Sequence, residues 1–237
     1  MKPSGKRKVL IFFTLALTLI MALMVEVSRG LNNVLEIQLI STIIVVSSIL
    51  GFLFWFGEGI KDAKSIALVS ILGSLSAALR LPFAAIPSLQ PSTFIIICSG
   101  YALGPAAGFL VGTLTVLISN LFLGHGPWTL YQIIGWGLAG ALAPALRKFS
   151  TNSFRMWVSL VVFGFLWGYV YGLITNLSYW LYFMEPLTLE TFLVAEVASL
   201  WFDTVHALSN AVFLSLLGLK TVRLLSGFVG KYPKIKF

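Results

Sequence analysis

The chain has 237 residues, of which 58% are hydrophobic and only 10% charged, with mean hydropathy +0.96 and a formal net charge of +8. Soluble domains carry about 25% charged residues, so this composition excludes a soluble globular protein and defines an integral membrane protein. Its apolar runs do not alternate, which excludes an outer-membrane barrel, and several approach the roughly 20 residues that cross a bilayer as helix. The single cysteine, Cys98, lies in an apolar run, so an internal disulfide is excluded.

Lys2, Lys6, Arg7 and Lys8 precede a first apolar run at residues 9–25. That opening has the layout of a signal peptide, but Met24-Val-Glu-Val-Ser has no small-x-small cleavage site, so the run is expected to be a retained helix. A turn at Leu31-Asn-Asn33 leads to a second helix over residues 37–56, and Glu58, Lys61, Asp62 and Lys64 mark a membrane interface. The third helix, residues 65–79, is bounded by Arg80. Ala63, Ala67, Ser70, Ser74 and Ala77 recur at spacings of four and three, a small-residue stripe that lets another helix approach closely. Such a stripe serves a neighbour in the same chain or a partner subunit.

Residues 81–91 contain three prolines and are expected to form a loop. A helix over residues 93–103 is too short to span a bilayer unaided. Gly104-Pro-Ala-Ala-Gly108 reads as a tight turn, and the next helix carries Gly108, Gly112, Thr115 and Ser119 on one stripe. It runs into the polar break Ser119-Asn-Leu-Phe-Leu-Gly-His-Gly-Pro-Trp-Thr-Leu-Tyr-Gln132. Gly124 and Gly126 permit positive φ there, and Pro127 suits the first turn of the following helix. The break gathers Asn120, His125, Trp128, Thr129 and Gln132, which suit either a polar-ligand site or an interfacial turn with a tryptophan anchor.

Residues 130–146 continue as a helix with Gln132, Trp136 and Gly140 four apart, and Arg147, Lys148 and Arg155 bracket the next connection. In the helix over residues 156–182, Gly164, Gly168 and Gly172 form two overlapping GxxxG units, extended by Asn176. In the last long helix Glu196, Ser199, Asp203, His206 and Asn210 lie on one face, polar for roughly 21 Å at about 1.5 Å per residue. Ionisable groups are costly in lipid, so this face is expected to look into the bundle, as a site or as a structural polar network.

Eight helices with both termini on one side place every lysine and arginine except Arg29 and Arg80 on that side, so both termini are expected in the cytoplasm. The loops around Arg80 and His125 and the upper end of the 196–210 stripe then share the outer face. The net positive charge is a topology signal and gives no reason to expect nucleic acid.

Arg80-Leu-Pro-Phe-Ala-Ala-Ile-Pro, Gln90-Pro, Ser99-Gly100, Gly104-x-x-x-Gly108-Phe-x-x-Gly112 and Gly124-His-Gly-Pro-Trp-Thr-x-x-Gln132 together resemble the substrate-binding (S) components of energy-coupling factor vitamin transporters, with the nearest likeness to the cobalamin-type branch. The resemblance covers about residues 63–237. It implies an all-α, polytopic, multi-pass protein of a prokaryotic cell membrane, with a six-helix substrate-binding core at residues 61–237; this sequence departs from the family pattern by placing two extra helices, at residues 1–60, before that core. The resemblance implies a vitamin-like ligand, cobalamin or a related corrinoid by the nearest likeness, bound from outside. The polar residues that converge toward that side, Arg80, Gln90, Asn120, His125, Trp128, Gln132, Asn176, Asp203 and His206, are the expected substrate site. The resemblance also implies a transmembrane coupling subunit docked on Ala63, Ala67, Ser70 and Ser74, and two ATPase subunits. His125 is either a contact to the corrinoid cobalt or a solvated loop residue.

No Gly-x-x-x-x-Gly-Lys-[Ser/Thr] occurs, so ATP hydrolysis would fall to partners, and no cofactor, catalytic residue or resident metal is expected. Two readings from other classes stay open. One is an integral-membrane enzyme using Asp203, His206 and His125, although the motifs His-Glu-x-x-His and Gly-x-Ser-x-Gly are absent. The other is a secondary transporter carrying protons on Glu196 and Asp203.

Overall fold

A computed structural model of the protein describes residues 62–231 and, ahead of them, residues 38, 40, 42–44, 46, 47 and 49–51. The first expected helix, at residues 9–25, lies outside the described residues. The described residues between 38 and 51 are helical, within the second expected helix.

From Asp62 onward every long element is helical: α1 Ala63–Phe83, α2 Ser92–Leu103, α3 Pro105–Leu123, α4 Trp128–Leu142, α5 Ser153–Phe183, α6 Leu189–Phe213 and α7 Leu219–Lys231. A 3-10 turn, Ala143–Lys148, extends α4, and a π turn, Leu214–Gly218, joins α6 to α7. Five stretches are long and apolar enough to cross a bilayer: Ala63–Phe83, Pro105–Leu123, Trp128–Lys148, Ser153–Phe183 and Leu189–Gly230. The protein is an all-α polytopic membrane bundle.

Side chains cap the helix starts. Asp62 accepts from the Ser65 amide at 3.0 Å, Asn152 from the Arg155 amide at 2.8 Å, and Thr188 forms a capping box with Thr191. The 12-residue α2 is apolar all round and buried at every position but Ala102, so it meets protein on all sides and needs no lipid-matching length. Arg147 caps its C-terminus: Nε donates to the Tyr101 carbonyl at 2.7 Å and Nη2 to that of Ala102 at 3.0 Å.

Glycines set the crossings. Gly100, Gly108 and Gly140 bring α2, α3 and α4 to backbone contact, and a Cβ on any of them would strike the main chain of a neighbour. Gly164, Gly168 and Gly172 seat α5 against Leu214, Ala207 and Asp203, as a GxxxG face requires.

Several sequence expectations are corrected. Arg80 does not end its helix: α1 continues to Phe83 with Pro82 inside it. Pro82 falls in the last turn, where its missing N–H removes one bond, and the Ala84 amide closes on the Leu81 carbonyl at 3.2 Å. The turn at residues 104–108 shrinks to Gly104, at φ 107°, because Pro105 already starts α3. The α-helical part of the 130–146 helix ends at Leu142, where Pro144 tightens the chain into the 3-10 turn. Of the two loop glycines only Gly124 takes positive φ, 97°. Gly126 is small for another reason: the Trp128 ring lies over it.

Candidate functional site

Toward one end of the bundle, where α1 and α3 finish and α2 and α4 begin, α1 to α6 each contribute polar side chains. Arg80 on α1 is buried, with 7% of its surface exposed. Its Nη1 donates to Ser119 Oγ and to Asn120 Oδ1 on α3, each at 2.7 Å. Asn120, itself buried, uses Nδ2 to donate to Gln132 Oε1 at 2.8 Å and Thr129 Oγ1 at 3.1 Å, both on α4. Both ends of the Asn120 amide are thereby satisfied, which orients it toward Arg80 with its carbonyl oxygen.

One turn deeper on α4, Trp136 is fully buried and lies under the Arg80 guanidinium, 4.8 Å from guanidinium carbon to ring centroid. Its Nε1 donates to Thr93 Oγ1 on α2 at 3.0 Å, and Thr93 Oγ1 lies 2.9 Å from His206 Nε2 on α6. Thr93 accepts from the indole and has both a hydrogen and a second lone pair left for His206 Nε2, so it serves either tautomer of the ring. Tyr171 on α5 stacks on Trp136 at 5.0 Å, meets the His206 ring edge-on at 4.8 Å, and reaches the Gln132 side chain.

A second cluster lies between α5 and α6. Asn176 Nδ2 is 3.3 Å from Glu196 Oε2, 2.5 Å from Ser199 Oγ and 3.3 Å from Asp203 Oδ2, and Ser199 donates to Asp203 Oδ2 at 2.7 Å. The single polar face expected over residues 196–210 therefore divides. Glu196, Ser199 and Asp203 meet Asn176, His206 meets Thr93, and Asn210 donates to the Gly164 carbonyl at 3.0 Å.

Of the residues named from the sequence, Arg80, Asn120, Gln132 and His206 join one connected cluster. Asn176 and Asp203 belong to the second. Gln90 ties the loop after α1 to α6, its amide donating to Ser209 Oγ at 3.0 Å, while its Oε1 is buried without a hydrogen-bond partner among the described residues. Trp128 leans toward Phe183, 6.1 Å between rings. His125 is exposed and reaches the cluster only through Thr129 Oγ1, 3.4 Å from its Nδ1. Ala63, Ala67, Ser70 and Ser74 are exposed, whereas Ala77 turns inward and is buried. The buried face of α1 instead carries Val69, Leu72, Gly73 and Ser76, with Gly73 against Leu114 of α3 and Ser76 bonded to Ser92 of α2.

Sequence reasoning missed Thr93, Ser119 and Tyr171 as members of the cluster and read Trp136 only as part of a helix stripe. Trp136 carried a signal, four residues after Gln132. Thr93 and Tyr171 carried none, because their importance lies in partners on other helices.

A polytopic helical membrane protein whose segments send polar and aromatic side chains to one end has the build of a small-molecule binder. The chain matches the family model described as ECF transporter, substrate-specific component, over residues 64–222, and it belongs to that family. It is a membrane substrate-binding subunit of an energy-coupling factor importer, a transporter component that works with the transmembrane and ATPase subunits of that module. It is 30% identical over 123 residues to the UPF0397 protein of Aliivibrio fischeri (strain MJ11), an alignment covering 46% of this chain and 67% of the relative. The UPF0397 protein of Aliivibrio salmonicida (strain LFI1238) is 31% identical over 123 residues, again 46% of this chain and 67% of the relative. No solved structure matches the chain significantly.

Proposed function

We propose that the chain captures a vitamin-like small molecule from the outer side of the cell membrane at the Arg80–Asn120–Gln132–Trp136–His206 cluster. The coupling subunit then docks on the exposed face of Ala63, Ala67, Ser70 and Ser74, and two ATPase subunits drive release inward. The observation that carries the reading is the buried Arg80, joined to side chains of α3 and α4 at one end of the bundle. An ionisable group at this depth is costly and is retained where it has work to do.

The distribution of lysine and arginine supports an outward-facing cluster and cytoplasmic termini. The helical residues ahead of the core agree with that direction: Gln38 Nε2 donates to the Leu181 carbonyl at 3.0 Å, and Thr42 Oγ1 is 2.5 Å from Tyr182 Oη, both at the α5 end nearest the cluster. In this reading Gln38 and Thr42 tie the chain ahead of the 61–237 core to α5. A corrinoid rests on the sequence resemblance alone, and the cluster favours no particular vitamin by name.

The test is uptake by proteoliposomes holding the chain with its coupling module, given a mixture of vitamins outside and ATP inside. Uptake should follow ATP and fall at least tenfold, or about 1.4 kcal/mol, in Arg80→Ala and in Gln132→Ala. Normal uptake by both variants removes the cluster from the substrate path, and uptake driven by a proton gradient without ATP favours the secondary transporter.

A further inference from the structure

The Arg80 guanidinium keeps its charge even when buried, because arginine is not deprotonated in proteins. Only Nη1 is used: its acceptors, Ser119 and Asn120, are both neutral. Nε is buried with no partner, and Nη2 makes no hydrogen bond among the described residues. Nε–H and Nη2–H form the side edge of the guanidinium, two parallel donors spaced to match the two oxygens of one carboxylate. A buried donor left empty costs about 1–3 kcal/mol, more for a charged group, so an open edge here is expensive unless something fills it.

The neighbours do not supply the missing charge. Thr93, Gln132 and Trp136 are neutral, and His206 carries no negative charge in either of its ring forms. The carboxylates of α6, Glu196 and Asp203, lie in the second cluster with Asn176 and Ser199 and form no ion pair with Arg80. Among the described residues Arg80 is the only buried lysine or arginine and has no ion pair. Among the described residues the cluster therefore holds a positive charge with no paired anion. One negative charge balances it, whereas a phosphate dianion would require a second cation.

We propose, resting on the reading that this cluster is the substrate site, that the substrate is a small organic monoanion whose carboxylate is gripped side-on by Arg80 Nε and Nη2. The rings of Trp136 and Tyr171 beside the guanidinium suit an apolar or aromatic body attached to that carboxylate.

The probes are sodium benzoate and benzamide, which share a shape and differ in the charge of one group. Each is titrated into the full chain in detergent, reading tryptophan fluorescence and the unfolding temperature. Benzoate should bind saturably and at least about tenfold tighter than benzamide, a difference worth about 1.4 kcal/mol. Arg80→Lys, which keeps the charge but loses the two-pronged edge, should lose most of that preference. Equal response to both probes, preference for benzamide, response to neither, or an undiminished preference in Arg80→Lys overturns the proposal. If benzoate fails while the Arg80 and Gln132 variants still abolish ATP-driven uptake, only the ligand class falls. If those variants transport normally, the site itself falls.

Discussion

The guanidinium carbon of Arg80 lies 4.8 Å from the ring centroid of Trp136, whose indole N–H in turn holds Thr93 at 3.0 Å. One tryptophan thus supports the buried cation with its face and fixes the α2 hydroxyl with its edge. Desolvated cation–π contacts contribute about 2 kcal/mol. Trp136→Phe keeps a ring but removes the donor, and should lower stability by about 0.5–1.5 kcal/mol. Trp136→Leu loses the ring as well and should cost clearly more. Thermal unfolding in detergent ranks the two, and equal losses would show that the face contributes nothing.

Asn120 is the joint between Arg80 and α4. Asn120→Ala removes one acceptor from the guanidinium and leaves Gln132 Oε1 without its Asn120 donor, so a loss of about 1–3 kcal/mol is expected. Asn120→Asp should pair with Arg80 and cancel the charge of the cluster, weakening benzoate binding while leaving benzamide unchanged. Titration of both variants against wild type checks this.

Glycine substitutions should separate packing from propensity. A Cβ at Gly168 meets the Ala207 backbone, so Gly168→Ala should prise α5 from α6 and reduce the yield of folded protein. Gly227, on α7, has open space around it, and Gly227→Ala should be neutral or stabilise by up to about 1 kcal/mol. Size-exclusion profiles and unfolding temperatures of the two variants give the comparison.

Ala67 is exposed on α1, off the buried face that holds Gly73 against Leu114 of α3. Ala67→Trp should stop ATP-driven uptake by blocking close approach of the coupling subunit, with ligand binding in detergent intact. Loss of binding together with uptake would mean that the bulk disturbs the bundle itself.

His125 is exposed, with one long contact to Thr129. His125→Ala should change stability by no more than about 0.5 kcal/mol, as surface substitutions do. A corrinoid added to the wild type and to the variant should show the same visible absorption. A spectral shift seen only with wild type would restore His125 as a cobalt ligand.

Hydropathy and small-residue spacing are local properties, and they determined a great deal here. The membrane class, the presence of α1, α3 and α5, the short α2 and the GxxxG face of α5 were all legible in the sequence, although the ends of α1 and α3 were not. So was the motif between Ser119 and Gln132 that points to the family. What only the tertiary structure decided is which polar groups meet. Glu196 and His206 share one face of α6, yet the first joins Asn176 on α5 and the second joins Thr93 on α2. That division depends on how far each helix is rotated and where it crosses its neighbours, and the crossings follow from backbone contacts at Gly100, Gly108, Gly140 and Gly168. A linear pattern records the face of one helix. It does not record the partner, because the energy of a buried hydrogen bond depends on two side chains far apart in sequence, such as Arg80 and Asn120.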